Sequence, residues 1–105
     1  MRYPDLVIVR QPVLTRLGYA LLPQHQSQRA TQVFQLLTTA YPTSADAFDS
    51  MVDGYLALGD SLSPRRSYQR VLELLPTDSL LEASAREDLR RRAEEKLREL
   101  PSSHD

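Results

Sequence analysis

Three aspartates, Asp46, Asp49 and Asp53, form the clearest chemical pattern in this chain of 105 residues. Their spacing of three and four residues places them on one face of a helix, opposite in phase to Phe48 and Met51. An acidic helical face favours a basic or amine-bearing ligand, because carboxylates bind ammonium and guanidinium groups. The same pattern is also typical of a solvated surface that has no ligand. Both interpretations remain open from the residues alone.

The sequence motifs that normally carry catalysis are absent. The chain has no Gly-x-Ser-x-Gly, Ser-x-x-Lys, His-Glu-x-x-His or phosphate-loop motif, and it has no cysteine. Its two histidines, His25 and His104, lie far apart in sequence, and the apolar pattern places His25 in a turn. Ser50 and Ser84 lie on predicted helices without a histidine nearby in sequence. We therefore expect a protein that is not an enzyme, with no catalytic residue, metal site or cofactor.

Charge and hydropathy narrow the classes of partner. The net charge is −1 at pH 7, so no overall field favours nucleic acid or an anionic membrane. Arg90, Arg91 and Arg92 stand beside acidic residues, which indicates a solvated, self-neutralised helix rather than a phosphate-binding patch. No apolar run is long enough to cross a membrane, and no signal peptide is evident. The compartment is unknown, with the cytoplasm as the default expectation.

The elements that must position the aspartates belong to a repeated pattern. When one stretch of the chain is shifted by 34 residues, most apolar, small and proline positions fall on residues of similar kind. The matched series are Leu14, Leu17, Gly18, Leu21, Ala30, Phe34, Leu37, Pro42 and Phe48, Met51, Val52, Tyr55, Pro64, Tyr68, Val71, Pro76. A period of this length is typical of helix–turn–helix units that bury their apolar faces by stacking.

Proline, glycine and capping residues predict where the helices begin and end. The first helix begins near Pro12 and ends before Pro23, and the second runs from Ser27 to Pro42. The predicted later boundaries are Thr43 or Ser44 to Gly59, Ser63-Pro64 to about Leu75, and a capping box Ser79-x-x-Glu82 opening a helix to about Leu100. The expected buried faces are Leu14, Leu17, Gly18, Leu21 in the first helix and Ala47, Phe48, Met51, Tyr55, Leu58 in the third.

The last predicted helix has a narrow apolar stripe and is charged elsewhere. The stripe is Leu81, Ala85, Leu89, Ala93, Leu97, and opposite charges recur four residues apart, as in Asp88 and Arg92. A helix that packs along one edge and is solvated elsewhere suits the terminal cap of a repeat stack. The alanines provide little volume for a coiled-coil seam.

With the helices placed, the pattern resembles the tetratricopeptide repeat (TPR) family. The resemblance rests on the Leu17-Gly18 pair, the Gly59-Asp60 turn and the closing sequences Leu36-Leu37-Thr38-Thr39-Ala40-Tyr41-Pro42 and Val71-Leu72-Glu73-Leu74-Leu75-Pro76. It implies an all-α fold with two TPR-like hairpins, residues 11–44 and 45–78, a capping helix over 79–100 and a single repeat domain over 11–100. His25-Gln26 stands where the family has Gly-Asp, and Pro64 implies that its helix begins late.

The resemblance also implies where a partner binds. In this family the first helix of each repeat lines a concave groove, which implies groove positions for Thr15, Tyr19, Asp46, Asp49 and Asp53. The family binds C-terminal carboxylates through Lys, Arg and Asn at such positions. The residues here are acidic, so we do not expect that activity in this chain. The implied partner is another protein, through a basic peptide or an arginine-rich surface of a neighbouring domain.

The first ten residues differ from the rest of the chain. Leu6 to Val9 is continuous and rich in β-branched residues, which predicts an extended N-terminal arm over residues 1–10. Two repeats are few for independent stability, so we expect a homodimer or a companion domain to supply further contacts. The candidate interface residues are Leu6, Val7, Ile8, Val9 and Val13. Residues 101–105 are expected to form a disordered tail.

A second resemblance offers an alternative function. The sequence from Leu17 to Leu22 and the sequence from Ala40 to Ser50 are similar to the TPR domain that follows the catalytic domain in some bacterial serine hydrolases. It implies an accessory or oligomerisation domain whose companion is catalytic. The principal expectation is a non-catalytic protein–protein interaction module, and nucleic-acid binding is the least favoured class.

Overall fold

The computed structural model describes residues 10–78 and 81–100, and every regular element in these ranges is helical. The helices are α1 (Gln11–Leu21), α2 (Ser27–Ala40), α3 (Ala45–Ala57), α4 (Ser63–Leu74) and α5 (Ala83–Glu99). Short 3-10 turns, Leu22–Gln24 and Leu75–Thr77, follow α1 and α4. The all-α class predicted from the sequence is confirmed. The predictions for Leu6, Val7, Ile8, Val9, Ser79 and the tail 101–105 lie outside the described residues.

The helix α3 lies at the centre of the molecule. Each helix packs against the next along the chain, and α3 also contacts both α1 and α5. The buried residues form two clusters, and α3 contributes to both. The first cluster is Leu14, Ala30, Phe34, Leu37, Ala47 and Met51, and the second is Ala45, Val52, Tyr68, Val71, Leu74, Leu75, Leu89 and Ala93. Each large side chain buried in this way contributes about 1.5–3 kcal/mol.

A glycine allows α1 and α2 to approach closely. A Cβ atom at Gly18 would lie 2.3 Å from Cε1 of Phe34, whose side chain is fully buried. The same ring packs edge-on against Tyr19, with centroids 5.0 Å apart. Gly18 therefore makes room for the largest side chain of the first cluster.

The start of α3 is fixed by residues from both neighbouring helix pairs. Ser44 Oγ accepts a hydrogen bond from the Ala47 amide, which completes the N-cap predicted for this position. Gln11 Nε2 donates to the same Ser44 oxygen at 2.7 Å, and the Ala45 amide donates to Asp78 Oδ2 at 2.9 Å. These hydrogen bonds tie the first turn of α3 to the start of α1 and to Asp78, which follows the 3-10 turn after α4.

Two predictions about the ends of helices are corrected by the structure. The helix α5 begins at Ala83 rather than near residue 79, and Glu82 is extended without a side-chain cap. The Arg86 guanidinium donates to the carbonyl oxygens of Asp78 and Leu81, which stabilises this non-helical approach to α5. At the end of α3, Leu58 is 48% exposed, because it lies beyond the last turn that packs.

Two further corrections concern helix faces. Leu17 is 47% exposed rather than buried, because α1 packs through Leu14 and Gly18, and Leu17 lies to one side of that line. The predicted ion pairs of α5 form at a spacing of three rather than four residues, as in Arg91 with Asp88 at 2.8 Å. Such exposed pairs contribute little to stability.

Candidate functional site

One cleft brings together all five side chains expected to face a partner. Its volume is about 400 Å³, and α1, α3, α4 and α5 all contribute to its lining. We call it the acidic cleft, defined by Thr15, Tyr19, Asp46, Asp49, Ser50, Asp53, Leu56, Tyr68, Arg92 and Lys96. The structure thus places Thr15, Tyr19, Asp46, Asp49 and Asp53 around a common space.

The floor of the acidic cleft is one side of α3. Asp46, Asp49 and Asp53 lie there because residues three and four positions apart share a helix face. Across the cleft, the Tyr19 hydroxyl donates a hydrogen bond to Asp53 Oδ2. Burial and this hydrogen bond raise the pKa of Tyr19, so its hydroxyl remains a donor at neutral pH.

Asp49 is the most enclosed carboxylate of the cleft and pairs with a residue of α5. Its exposed fraction is 8%, and its Oδ2 atom lies 2.6 Å from Nη2 of Arg92. Burial raises the pKa of Asp49 to about 6, and this effect exceeds the lowering caused by Arg92. Arg92 itself remains half exposed, so solvent screens its charge while Asp49 bears most of the desolvation.

Arg92 is one of three arginines predicted to lie on a solvated, self-neutralised face of the last helix, and the structure corrects this prediction. Arg92 reaches across to α3, and Asp88, its expected partner, binds Arg91 instead. The contact between Arg92 and Asp49 spans 43 residues, so no local spacing pattern signals it.

Two polar side chains of the cleft have no hydrogen-bond partner among the described residues. Asp46 is half-buried and forms no ion pair there, and burial raises its pKa although Arg92 opposes the shift. Tyr68 is only 4% exposed, and its hydroxyl forms no hydrogen bond with the described residues. Burial, followed by the charges of Asp49 and Asp53, raises the pKa of Tyr68 to about 12. A ligand that donates to Asp46 and accepts from the Tyr68 hydroxyl would satisfy both groups.

The remaining charges only partly balance the three carboxylates. Arg92 and Lys96 are the cations of the lining, and the Lys96 ammonium also lies 3.5 Å from Glu99 Oε1. Within 10–78 and 81–100, no cluster of His, Asp and Glu has the arrangement of a metal site. His25 is exposed in the turn after α1, with a left-handed φ of 60°. The cleft therefore offers hydrogen-bond acceptors and an excess of negative charge when all its groups are ionised.

A broader, shallower surface adjoins the acidic cleft at the start of α1. It has a volume of about 930 Å³ and shares Thr15 and Asp46 with the cleft, so that the two form one continuous face. Arg10 and Arg16 line it, which makes its charge mixed. Val13, a predicted interface residue, is 50% exposed on α1.

Comparison with protein-family models, curated proteins and solved structures finds no match to this chain. Among the helices described, none has both the length and the apolar character needed to span a bilayer.

Proposed function

We propose that this chain is a non-catalytic protein-interaction module whose acidic cleft binds a basic peptide or a basic surface of a neighbouring domain. The observation that carries the proposal is the uneven pairing of three carboxylates on one side of α3. Asp49 has a cationic partner, Asp53 accepts from a hydroxyl, and Asp46 has no partner among the described residues. A partly buried carboxylate gains most from a ligand that brings a positive charge and hydrogen-bond donors.

The shape of the cleft suits an extended chain bearing one or two basic side chains. Its volume of about 400 Å³ lies within the range of sites that enclose a small ligand. Tyr19 supplies exposed aromatic surface beside the carboxylates, where a guanidinium stacks and forms hydrogen bonds at once. The Arg92 guanidinium, bound at 2.6 Å to Asp49, illustrates from within the chain how such a group is held.

The scaffold in this proposal is TPR-like. The pairs α1 with α2 and α3 with α4, followed by α5 packed on α4, have the order expected for two hairpins and a capping helix. The start of α1 at Gln11 and of α3 at Ala45 agrees with the repeat boundaries inferred from the sequence. These features support the assignment, which superposition of residues 11–44 on residues 45–78 tests.

Peptide binding to neutralised variants tests the proposed function. The probes are fluorescein-labelled peptides of equal length, rich in arginine, in lysine or in glutamate, followed by fluorescence anisotropy. The test variant combines Asp46→Asn with Asp53→Asn, because these carboxylates have no cationic partner among the described residues. The matched control combines Glu94→Gln with Glu95→Gln, which removes the same charge from exposed positions of α5.

We expect the arginine-rich peptide to bind the native protein and to lose about tenfold or more in affinity with the cleft variant, as for loss of charge-assisted hydrogen bonds. The control variant should stay within about twofold of the native protein, since exposed charges act weakly. Equal losses in the two variants, or equal binding of the glutamate-rich peptide at the cleft, would contradict the proposal.

The alternative is an accessory or oligomerisation domain that joins a companion, as in the serine-hydrolase resemblance. The observation that favours it is the pair Val13 and Leu17, both about half exposed and one helical turn apart on α1. An apolar strip of this kind suits a homodimer or domain interface. Light scattering of the native protein and of a Val13→Glu, Leu17→Glu variant tests it: a dimer that the variant dissociates supports the alternative, and a native monomer removes the homodimer.

A further inference from the structure

The opposite side of α3 forms the floor of a second groove, which the proposed function does not use. This groove lies between α2 and α4 and consists of two adjoining pockets of about 240 Å³ each. The pockets share Tyr55, Arg66 and Ser67, so they form one continuous depression. We call it the outer groove, defined by Phe48, Met51, Tyr55, Arg66, Ser67 and Arg70.

The charge of the outer groove is opposite to that of the acidic cleft. Two arginines line it, and its described lining contains no acidic side chain. Arg70 binds Glu73 at 2.9 Å on the exposed surface and lies 5.9 Å from the centroid of the Phe48 ring. Arg66 forms no ion pair or hydrogen bond with the described residues, and it is exposed. One guanidinium is therefore open to an external anion.

The position of Arg66 gives no benefit to its own helix. It lies in the first turn of α4, where the helix dipole disfavours a positive charge. The amides at this end are already partly satisfied, because Asp60 Oδ1 accepts from both Leu62 and Ser63. Helix stability thus does not account for an arginine here, whereas an anionic ligand in the groove would.

A serine hydroxyl lines the same groove. Ser67 is 7% exposed and lines both pockets, and its hydroxyl forms no hydrogen bond with the described residues. The Ser67 oxygen is not itself enclosed, so this hydroxyl is an available donor beside the Arg66 guanidinium. The two groups together match a carboxylate, which accepts from a guanidinium and a hydroxyl at once.

The floor of the outer groove is apolar. Met51 is buried and Phe48 and Tyr55 are partly buried, and all three come from α3. Each pocket is smaller than the sites of typical small-molecule ligands and accommodates one or two side chains. We propose that the outer groove binds an acidic peptide segment in which a carboxylate stands next to a large apolar side chain. The carboxylate binds Arg66 and Ser67, and the apolar side chain packs on Phe48 and Met51.

A peptide fits these observations better than a phosphorylated polymer. Two cations above an apolar floor provide few phosphate contacts, and the whole chain carries a net charge of −1. Charge complementarity and the apolar floor together select a carboxylate next to a hydrophobic group. This proposal is independent of the function proposed above, because the two surfaces share no lining residue.

Binding of a short acidic peptide tests the proposal. The probe is a fluorescein-labelled hexapeptide of alternating glutamate and leucine, compared with one of alternating glutamate and serine and one of alternating lysine and leucine. The test variant is Arg66→Glu, which retains the fold because an acid is favoured in the first turn of a helix. The matched control is Arg98→Glu, the same charge change at an exposed position of α5.

We expect the glutamate–leucine peptide to bind the native protein, and Arg66→Glu to weaken it about tenfold or more, as for loss of a charge-assisted contact. Ser67→Ala should weaken it by a smaller factor, and Arg98→Glu should leave it within about twofold. Chemical shift changes of backbone amides in the native protein should centre on Tyr55 and residues 66–70.

Several results would overturn the proposal. One is that the glutamate–serine peptide binds as tightly as the glutamate–leucine peptide, or that the lysine–leucine peptide binds this groove more tightly. Another is that Arg66→Glu and Arg98→Glu lose the same affinity. A third is that the shift changes are confined to the acidic cleft. Each leaves the basic-peptide proposal to its own test, because that test uses the opposite probe charge and different variants.

Discussion

Protonation of Asp49 should make the stability of this protein depend on pH in an unusual direction. Burial raises the pKa of its carboxyl from 3.8 to about 6 despite the Arg92 guanidinium at 2.6 Å. Each unit of pKa shift corresponds to about 1.36 kcal/mol, so the folded state disfavours the ionised form by about 3 kcal/mol. The folded state is therefore most stable below the unfolded pKa, where Asp49 is neutral. About 3 kcal/mol of that stability is lost as the pH rises through the folded pKa. Over this range most carboxylates act in the opposite direction.

The variant Asp49→Asn isolates the effect, because it removes the titrating group and keeps a side chain of similar shape. We expect the unfolding free energy of the native protein, minus that of the variant, to fall by about 3 kcal/mol between about pH 3 and about pH 7. Urea unfolding followed by circular dichroism at a series of pH values measures this difference. Asp46 is present in both proteins, so its own raised pKa largely cancels.

The role of Arg92 can be tested separately by following the carboxyl carbon of Asp49 by NMR. Because Arg92 lowers this pKa, Arg92→Gln should move the titration midpoint above about 6. The matched control is Arg91→Gln, which removes a neighbouring arginine that binds Asp88 and should leave the midpoint unchanged. A native midpoint below about 4, or a stability difference that does not change with pH, would refute the dominance of burial.

Three further predictions follow from the packing and from the cleft. Gly18→Ala should destabilise the fold, because displacing buried Phe34 costs about 1–3 kcal/mol against a gain of about 1 kcal/mol in helix propensity; a urea midpoint above that of the native protein would contradict this packing. Asp78→Ala should cost about 1–2 kcal/mol, because the buried Ala45 amide loses its acceptor, whereas unchanged thermal unfolding would show that this cap is dispensable. Affinity for an arginine-rich peptide should decrease when the pH is lowered below about 6, because protonation of Asp49 leaves the Arg92 charge uncompensated in the cleft. Anisotropy titrations in which the affinity stays constant or rises at low pH would contradict the cleft as the binding site.

The all-α fold was predictable because its determinants are local. Prolines, N-cap residues and the spacing of apolar residues predict four of the five helix starts to within a residue or so, and Gly59, with its positive φ, marks the end of α3. The predicted start of α5 was wrong, because the extended segment before this helix is held by Arg86, which donates to two carbonyl oxygens. That contact is tertiary and leaves no local pattern.

The acidic side of α3 was predictable from spacing, and its surroundings were not. Helical periodicity places Asp46, Asp49 and Asp53 together, because all three belong to one element. Arg92 and Tyr68 come from α5 and α4, and their positions follow from how those helices pack on α3. The sequence therefore indicated where negative charge collects, and the structure was needed to find which carboxylate is already paired.

The availability of Asp46 and Asp53 to a basic ligand is tested most directly by recording amide shifts in an ¹⁵N-labelled sample titrated with an arginine-rich peptide. We expect saturable changes centred on Tyr19, Asp46 and Asp53 that disappear in the Asp46→Asn, Asp53→Asn variant. Changes that persist in that variant, or that map away from the acidic cleft, would contradict this prediction.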